Sequence, residues 1–121
     1  MSTIAERIAA NINLPFGVRK AFANAPDPEG WSRPWVLMWR ECVARAVMDA
    51  LGFTGQTEID KHNAIMTEAQ RWFKYAHDDM REVFDLAEVP LEICRESVVE
   101  NFPLTRKAPK TTQVPNKRKT R

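Results

Sequence analysis

The chain has 121 residues, 44% of them apolar and 28% charged, which fits one globular domain of 13.9 kDa and leaves no room for two. No apolar run approaches the roughly 18–20 residues of a membrane span, and no charged-then-apolar N-terminus reads as a signal peptide. The formal charge of +2 hides a polarity: residues 105–121 carry seven bases and no acid, which leaves 11 bases against 16 acids, a net of −5, on the 104 residues before them.

Helical spacing recurs along the chain, whereas β-branched residues never alternate with polar ones over a strand length. Thr3-Ile4-Ala5-Glu6 has the form of a capping box, and Ile4, Ile8 and Ile12 follow at four-residue steps. Leu14-Pro15-Phe16-Gly17 interrupts this helix, and a short second one covers Val18 to Asn24. Two prolines and a glycine make Ala25 to Gly30 a loop.

The strongest element runs from Pro34 to Leu51. Ser32 is placed to cap it, Pro34 suits its first turn, and Gly52 stands where a left-handed C-terminal residue is wanted. Trp35, Trp39, Cys42, Val43, Ala46, Val47, Ala50 and Leu51 follow the spacing of one helix face, so this face is expected to be the spine of the core. Two buried tryptophans would remove about 150–250 Å² each from water, roughly 4–6 kcal/mol apiece at about 25 cal/mol per Å².

Phe53-Thr54-Gly55-Gln56 is a turn, and Thr57 with Glu58 and Asp60 opens the next helix. Ile59, Asn63, Met66, Ala69, Phe73 and Ala76 trace its inner face, widened by Ile65 and Trp72. Two shorter helices follow, about Asp78–Ala87 and Leu91–Glu100. The expected architecture is therefore all-α: a small bundle of about five helices over residues 1–104, closed by a helix-turn-helix-like pair at 78–100. The expected core holds Trp35, Trp39, Val43, Val47, Leu51, Met66, Phe73, Val83, Leu86 and Ile93. Residues 105–121 hold too little apolar surface to offset the entropy of ordering and are expected to be a disordered basic tail.

Enzyme motifs are missing from the sequence. With four glycines there is no phosphate loop, no GxSxG and no HExxH, so no catalytic residue and no cofactor is expected. Cys42 and Cys94 lie 52 residues apart, too few and too distant for a disulfide scaffold or a CxxC site, and they point to a reducing, cytoplasmic setting. Both are read as core residues. His77-Asp78-Asp79 has the look of a metal corner, but His77 at the end of one helix and the two acids at the start of the next explain it without a metal. His62, beside Lys61, is read as a surface residue.

The segment Val83 to Val98 resembles the helix-turn-helix of bacterial repressors, in which the second helix enters the DNA major groove. Glu88 occupies the turn position that usually holds glycine, so it must accept or avoid a left-handed conformation. Phe84 occupies the position of a small residue at the helix crossing. Between Asp78 and Glu100 there are eight acids and two bases, which repels phosphate.

A wider set of residues points the same way: Trp35-Val36 through Ala46 to Asp49-Ala50, then Ala69 and Arg71-Trp72-Phe73, then Asp79-Met80-Arg81-Glu82-Val83-Phe84 with Leu86-Ala87, through Arg95. Over residues 35–98 this resembles a group of small helical proteins encoded by tailed phages and prophages. Where that group has an aromatic residue, a cysteine and a glycine, this chain has Met80, Phe84 and Glu88. The resemblance implies phage origin, in the cytoplasm of a host cell, and a helix-turn-helix-like C-terminal half. It implies no substrate and no catalytic residue.

Two functional readings remain open. In the first, Arg106, Lys107, Lys110, Lys117, Arg118, Lys119 and Arg121 form an arm that attracts nucleic acid, DNA before RNA, by counterion release, with Arg95 adding a contact from the body. In the second, Glu82, Asp85, Glu88, Glu92 and Glu96 present an acidic face to a host or phage protein. Neither involves a membrane, a metal or a small-molecule substrate.

Overall fold

The computed structural model describes residues 3–105. Six α-helices form a bundle: α1 (Ile4–Ala10), α2 (Phe16–Ala23), α3 (Arg33–Ala50), α4 (Ile59–Tyr75), α5 (His77–Ala87) and α6 (Leu91–Glu100), with a single 3₁₀ turn at Gly30–Ser32 before α3. No strand occurs among the described residues. The basic tail, Arg106 to Arg121, lies outside them.

Local chemistry sets the helix ends. At α1 the capping box is complete: the Glu6 N–H donates to Thr3 Oγ1 at 3.1 Å, and the Thr3 N–H donates to Glu6 Oε1 at 2.8 Å. These bonds hold the exposed Glu6 carboxyl below its ordinary pKa. Gly52 takes the left-handed conformation (φ 93°) after α3, where the Phe53 N–H donates to Met48 O and the Gly52 N–H to Asp49 O, the two bonds of a Schellman motif. The side chain of Ser32 makes no cap, and Thr57 lies before the first turn of α4, whose cap position is Glu58. His77 opens α5 rather than ending α4, since Ala76 alone separates the two helices.

α3 is the central element, packed against α1, α4 and α5, as its length implies. It sits in a different rotation from the one its tryptophans suggest. The buried side is Val36, Arg40, Val43, Ala44, Val47 and Ala50, followed by Leu51. Trp35 is 59% exposed, Trp39 is half-buried, and Cys42 faces solvent. The physical reason is crowding: a helix surrounded on three sides needs small or β-branched contact residues, and indole rings would hold the neighbours apart. The Trp35–Trp39 spine and the core assignment of Cys42 are corrected accordingly.

The core collects Ile8, Val18, Val43, Val47, Phe73, Met80, Phe84, Cys94 and Val98 from all six helices. Trp72, Phe73 and Phe84 join α4 to α5: the Trp72 and Phe73 rings meet edge-on at 5.1 Å, while Trp72 and Phe84 stack at 6.4 Å. Burial pushes the Cys94 thiol up to about 12, which makes it chemically inert. Leu86 is exposed and Val83 and Ile93 are half-buried, so α5 and α6 too differ from expectation on one flank. Their buried positions are Met80, Phe84 and Ala87 on α5 and Cys94, Ser97 and Val98 on α6. Gly17 permits the close contact of α2 with α6, because a Cβ there would stand 2.7 Å from the Ser97 Cβ.

Candidate interaction surface on the C-terminal helices

α5 and α6 occupy the expected positions, joined by a tight turn at Glu88. Glu88 accepts the left-handed conformation, with φ 56° and ψ 38°, and is the one non-glycine residue with positive φ among the described residues. The turn is again a Schellman motif, with Glu88 N–H donating to Asp85 O and Val89 N–H to Phe84 O, both at 3.2 Å. The strain of this conformation, about 1–3 kcal/mol for a residue with a Cβ, is held by the packing of Val89 and Ala87 beneath it.

Arg40 supplies the second support. From the middle of α3 its Nε donates to Ala87 O at 3.0 Å, so a buried guanidinium sits on the C-terminal carbonyls of α5, where the helix dipole favours a cation. Burial pulls the Arg40 pKa below its ordinary value, opposed by the nearby charges of Glu88 and Asp27.

The two helices touch each other less than they touch the rest of the bundle: α5 lies on α3, and α6 lies mainly on α2. Phe84, the residue expected to crowd their crossing, turns into the core against Trp72 and Phe73. What the pair presents outward is acidic. Glu82, Asp85, Glu88, Glu92 and Glu96 are all exposed, as are Asp78, Asp79 and Glu100, and Glu92, Glu96 and Glu100 form one stripe at four-residue spacing. The five candidate acids are thus all in water, on two consecutive helices and the turn between them.

Arg95 does not join a basic surface. It is half-buried, and its Nε donates to Phe73 O at 2.9 Å, tying α6 to the end of α4. This bond gives Arg95 a structural task. The tail candidates Arg106, Lys107, Lys110, Lys117, Arg118, Lys119 and Arg121 lie outside the described residues.

Several polar residues act where the sequence gives no motif. Glu41 receives the Ile4 N–H on Oε1 and the Ala5 N–H on Oε2, both at 2.9 Å, so a side chain of α3 caps the start of α1. His62 is buried, not on the surface, and its Nδ1 hydrogen-bonds Thr54 Oγ1 at 2.8 Å because the 52–57 loop folds back over α4. Gln70 donates through Nε2 to both Ala50 O and Pro103 O, fastening the segment after α6. No group of three or more His, Cys, Asp or Glu side chains is placed to hold a metal ion among the described residues. No described helix is long and apolar enough to cross a membrane.

Comparison of the chain with family models, curated proteins and solved structures finds no match in any of the three.

Proposed function

We propose that the chain is a small phage-type accessory protein, not an enzyme, that associates with nucleic acid through its basic C-terminal segment, the net-acidic folded body adding little phosphate affinity. The segregation of charge carries this reading: seven bases and no acid in residues 105–121, against exposed acids on both C-terminal helices. An acidic α6 is repelled by a phosphate backbone, and Arg95, its one base, is committed to Phe73 O. The affinity is therefore non-specific and electrostatic.

A mobility shift with double-stranded DNA, single-stranded DNA and RNA at low and moderate salt tests it. Binding falls with salt at a log–log slope between about −2 and −5, fewer than all seven cations being engaged at about −0.9 per contact. Deleting 105–121 abolishes the shift and leaves the melting temperature nearly unchanged. Retained binding by the truncated chain overturns the reading and places the site on the body.

The exposure of Glu82, Asp85, Glu88, Glu92 and Glu96 on α5, α6 and their turn favours a second reading, in which these acids dock on a basic host or phage protein. The intact chain then fails to shift any nucleic acid at low salt. A basic protein captured from host extract is lost on Glu92→Lys with Glu96→Lys.

A further inference from the structure

α3 is apolar on both of its sides, and the bundle covers only one. The uncovered side carries Trp35, Met38, Cys42 and Ala46 and ends at Asp49, at three- and four-residue steps along one helix face, with Trp39 and Arg45 on its flanks. Trp31, 87% exposed, precedes it by one turn. Beside the C-terminal half of this stripe lies an open groove of about 900 Å³ between α3 and α4, walled largely by small or apolar residues: Ala46, Ala64, Ile65, Ala69 and Trp72. One half of the stripe is therefore bulky and the other half is hollow.

The spacing of the stripe is symmetric about Cys42. Met38 and Ala46 stand four residues to either side, and Trp35 and Asp49 seven. Cys42 is also at the midpoint of α3, which runs from Arg33 to Ala50. Two such helices laid antiparallel with Cys42 on a twofold axis place each bulky half against the hollow half of the other.

We propose that this face binds a second copy of the chain, in an antiparallel α3–α3 dimer whose axis passes by Cys42. Each protomer inserts Trp35 into the partner's groove and receives the partner's Trp35 in its own. Met38 packs on the partner's Ala46.

The area is sufficient. Trp31, Trp35 and the groove residue Tyr75 leave on the order of 400 Å² of aromatic surface in water, taking about 150–250 Å² for a whole aromatic side chain. Met38, Cys42 and the groove walls bring each protomer toward the roughly 800 Å² that a stable interface buries per partner. A contact of this kind is isologous and closes on itself, so it yields a dimer and not a filament.

Sedimentation of the intact chain at moderate salt, across nanomolar to high micromolar concentration, gives a mass rising from one to two times 13.9 kDa. Trp35→Glu keeps the helical circular dichroism and stays monomeric throughout, while Glu92→Lys on the acidic helices leaves the dimer intact. A short bis-maleimide joins two chains in the wild type and none in Cys42→Ser, the buried Cys94 being inaccessible. A monomer at every concentration overturns the proposal and leaves the face to a different protein. A dimer indifferent to Trp35→Glu, or one in which Cys42 does not cross-link, overturns it as well. These outcomes are independent of nucleic-acid binding, which the tail deletion reads.

Discussion

The two sides of α3 are made of similar apolar material and meet opposite fates. The inner side, with Val36, Val43, Ala44, Val47 and Ala50, is small, and three other helices close over it. The outer side, with Trp35, Met38, Trp39 and Cys42, is larger, and no helix of the bundle covers it. Hydrophobicity alone does not choose which side faces in; the space available between neighbouring helices does. Two charged residues of α3 add to the choice, because Arg40 reaches Ala87 O and Glu41 reaches the N–H groups of α1 only in the observed rotation.

The largest effect that breaks this contrast comes from the layer packed over the inner side. Phe84→Ala removes a fully buried ring that meets Trp72 and Phe73, and should cost about 3–5 kcal/mol, measured by denaturant unfolding. Val43→Ala, on the inner side itself, should cost about 2 kcal/mol from lost burial and the cavity left behind. Trp35→Ala removes a far bigger side chain from the outer side yet should change the stability of the dilute chain by less than about 0.5 kcal/mol. A Trp35 loss larger than the Val43 loss would mean that the helix is turned the other way.

Glu41→Ala should cost about 1–2 kcal/mol and expose the first amides of α1 to hydrogen exchange ahead of the rest of the bundle. The smallest effect concerns Asp49, whose carboxyl burial raises above its ordinary pKa, with Arg45 opposing. A raised carboxyl pKa means that the native state binds the proton more readily than the unfolded state, so ionised Asp49 destabilises the fold above that pKa. Asp49→Asn should therefore raise the melting temperature of the dilute chain at neutral pH. The gain should disappear in acid, as wild-type Asp49 takes up its proton.

Much of the architecture was legible because caps and breakers act locally. The Thr3–Glu6 box, Pro34 in a first turn and Gly52 after α3 each mark an end that the structure keeps. The acidic outer face of α5 and α6 was legible too, since carboxylates on helical spacing stay in water unless paired.

The rotation of α3 was not legible, because its apolar residues satisfy two helix faces and tryptophan mass favours the wrong one. His62 was missed because its partner, Thr54, comes from a loop whose path no spacing rule fixes. The bond of Arg95 to the body had no signal in the sequence because its acceptor is a main-chain carbonyl 22 residues away, which has no side-chain signature.

Thiol labelling tests the orientation of α3 most directly, since the two cysteines report opposite environments. With nanomolar protein and a fluorescent maleimide, Cys42 should label at a rate close to that of an unstructured peptide. Cys94, fully buried and with its thiol pushed up to about 12, should wait for global unfolding, at least a thousandfold slower for a domain with roughly 5 kcal/mol of stability. Protection of Cys42 to the same degree as Cys94 at that dilution would contradict the account, because the tryptophan side of α3 would then lie in the core.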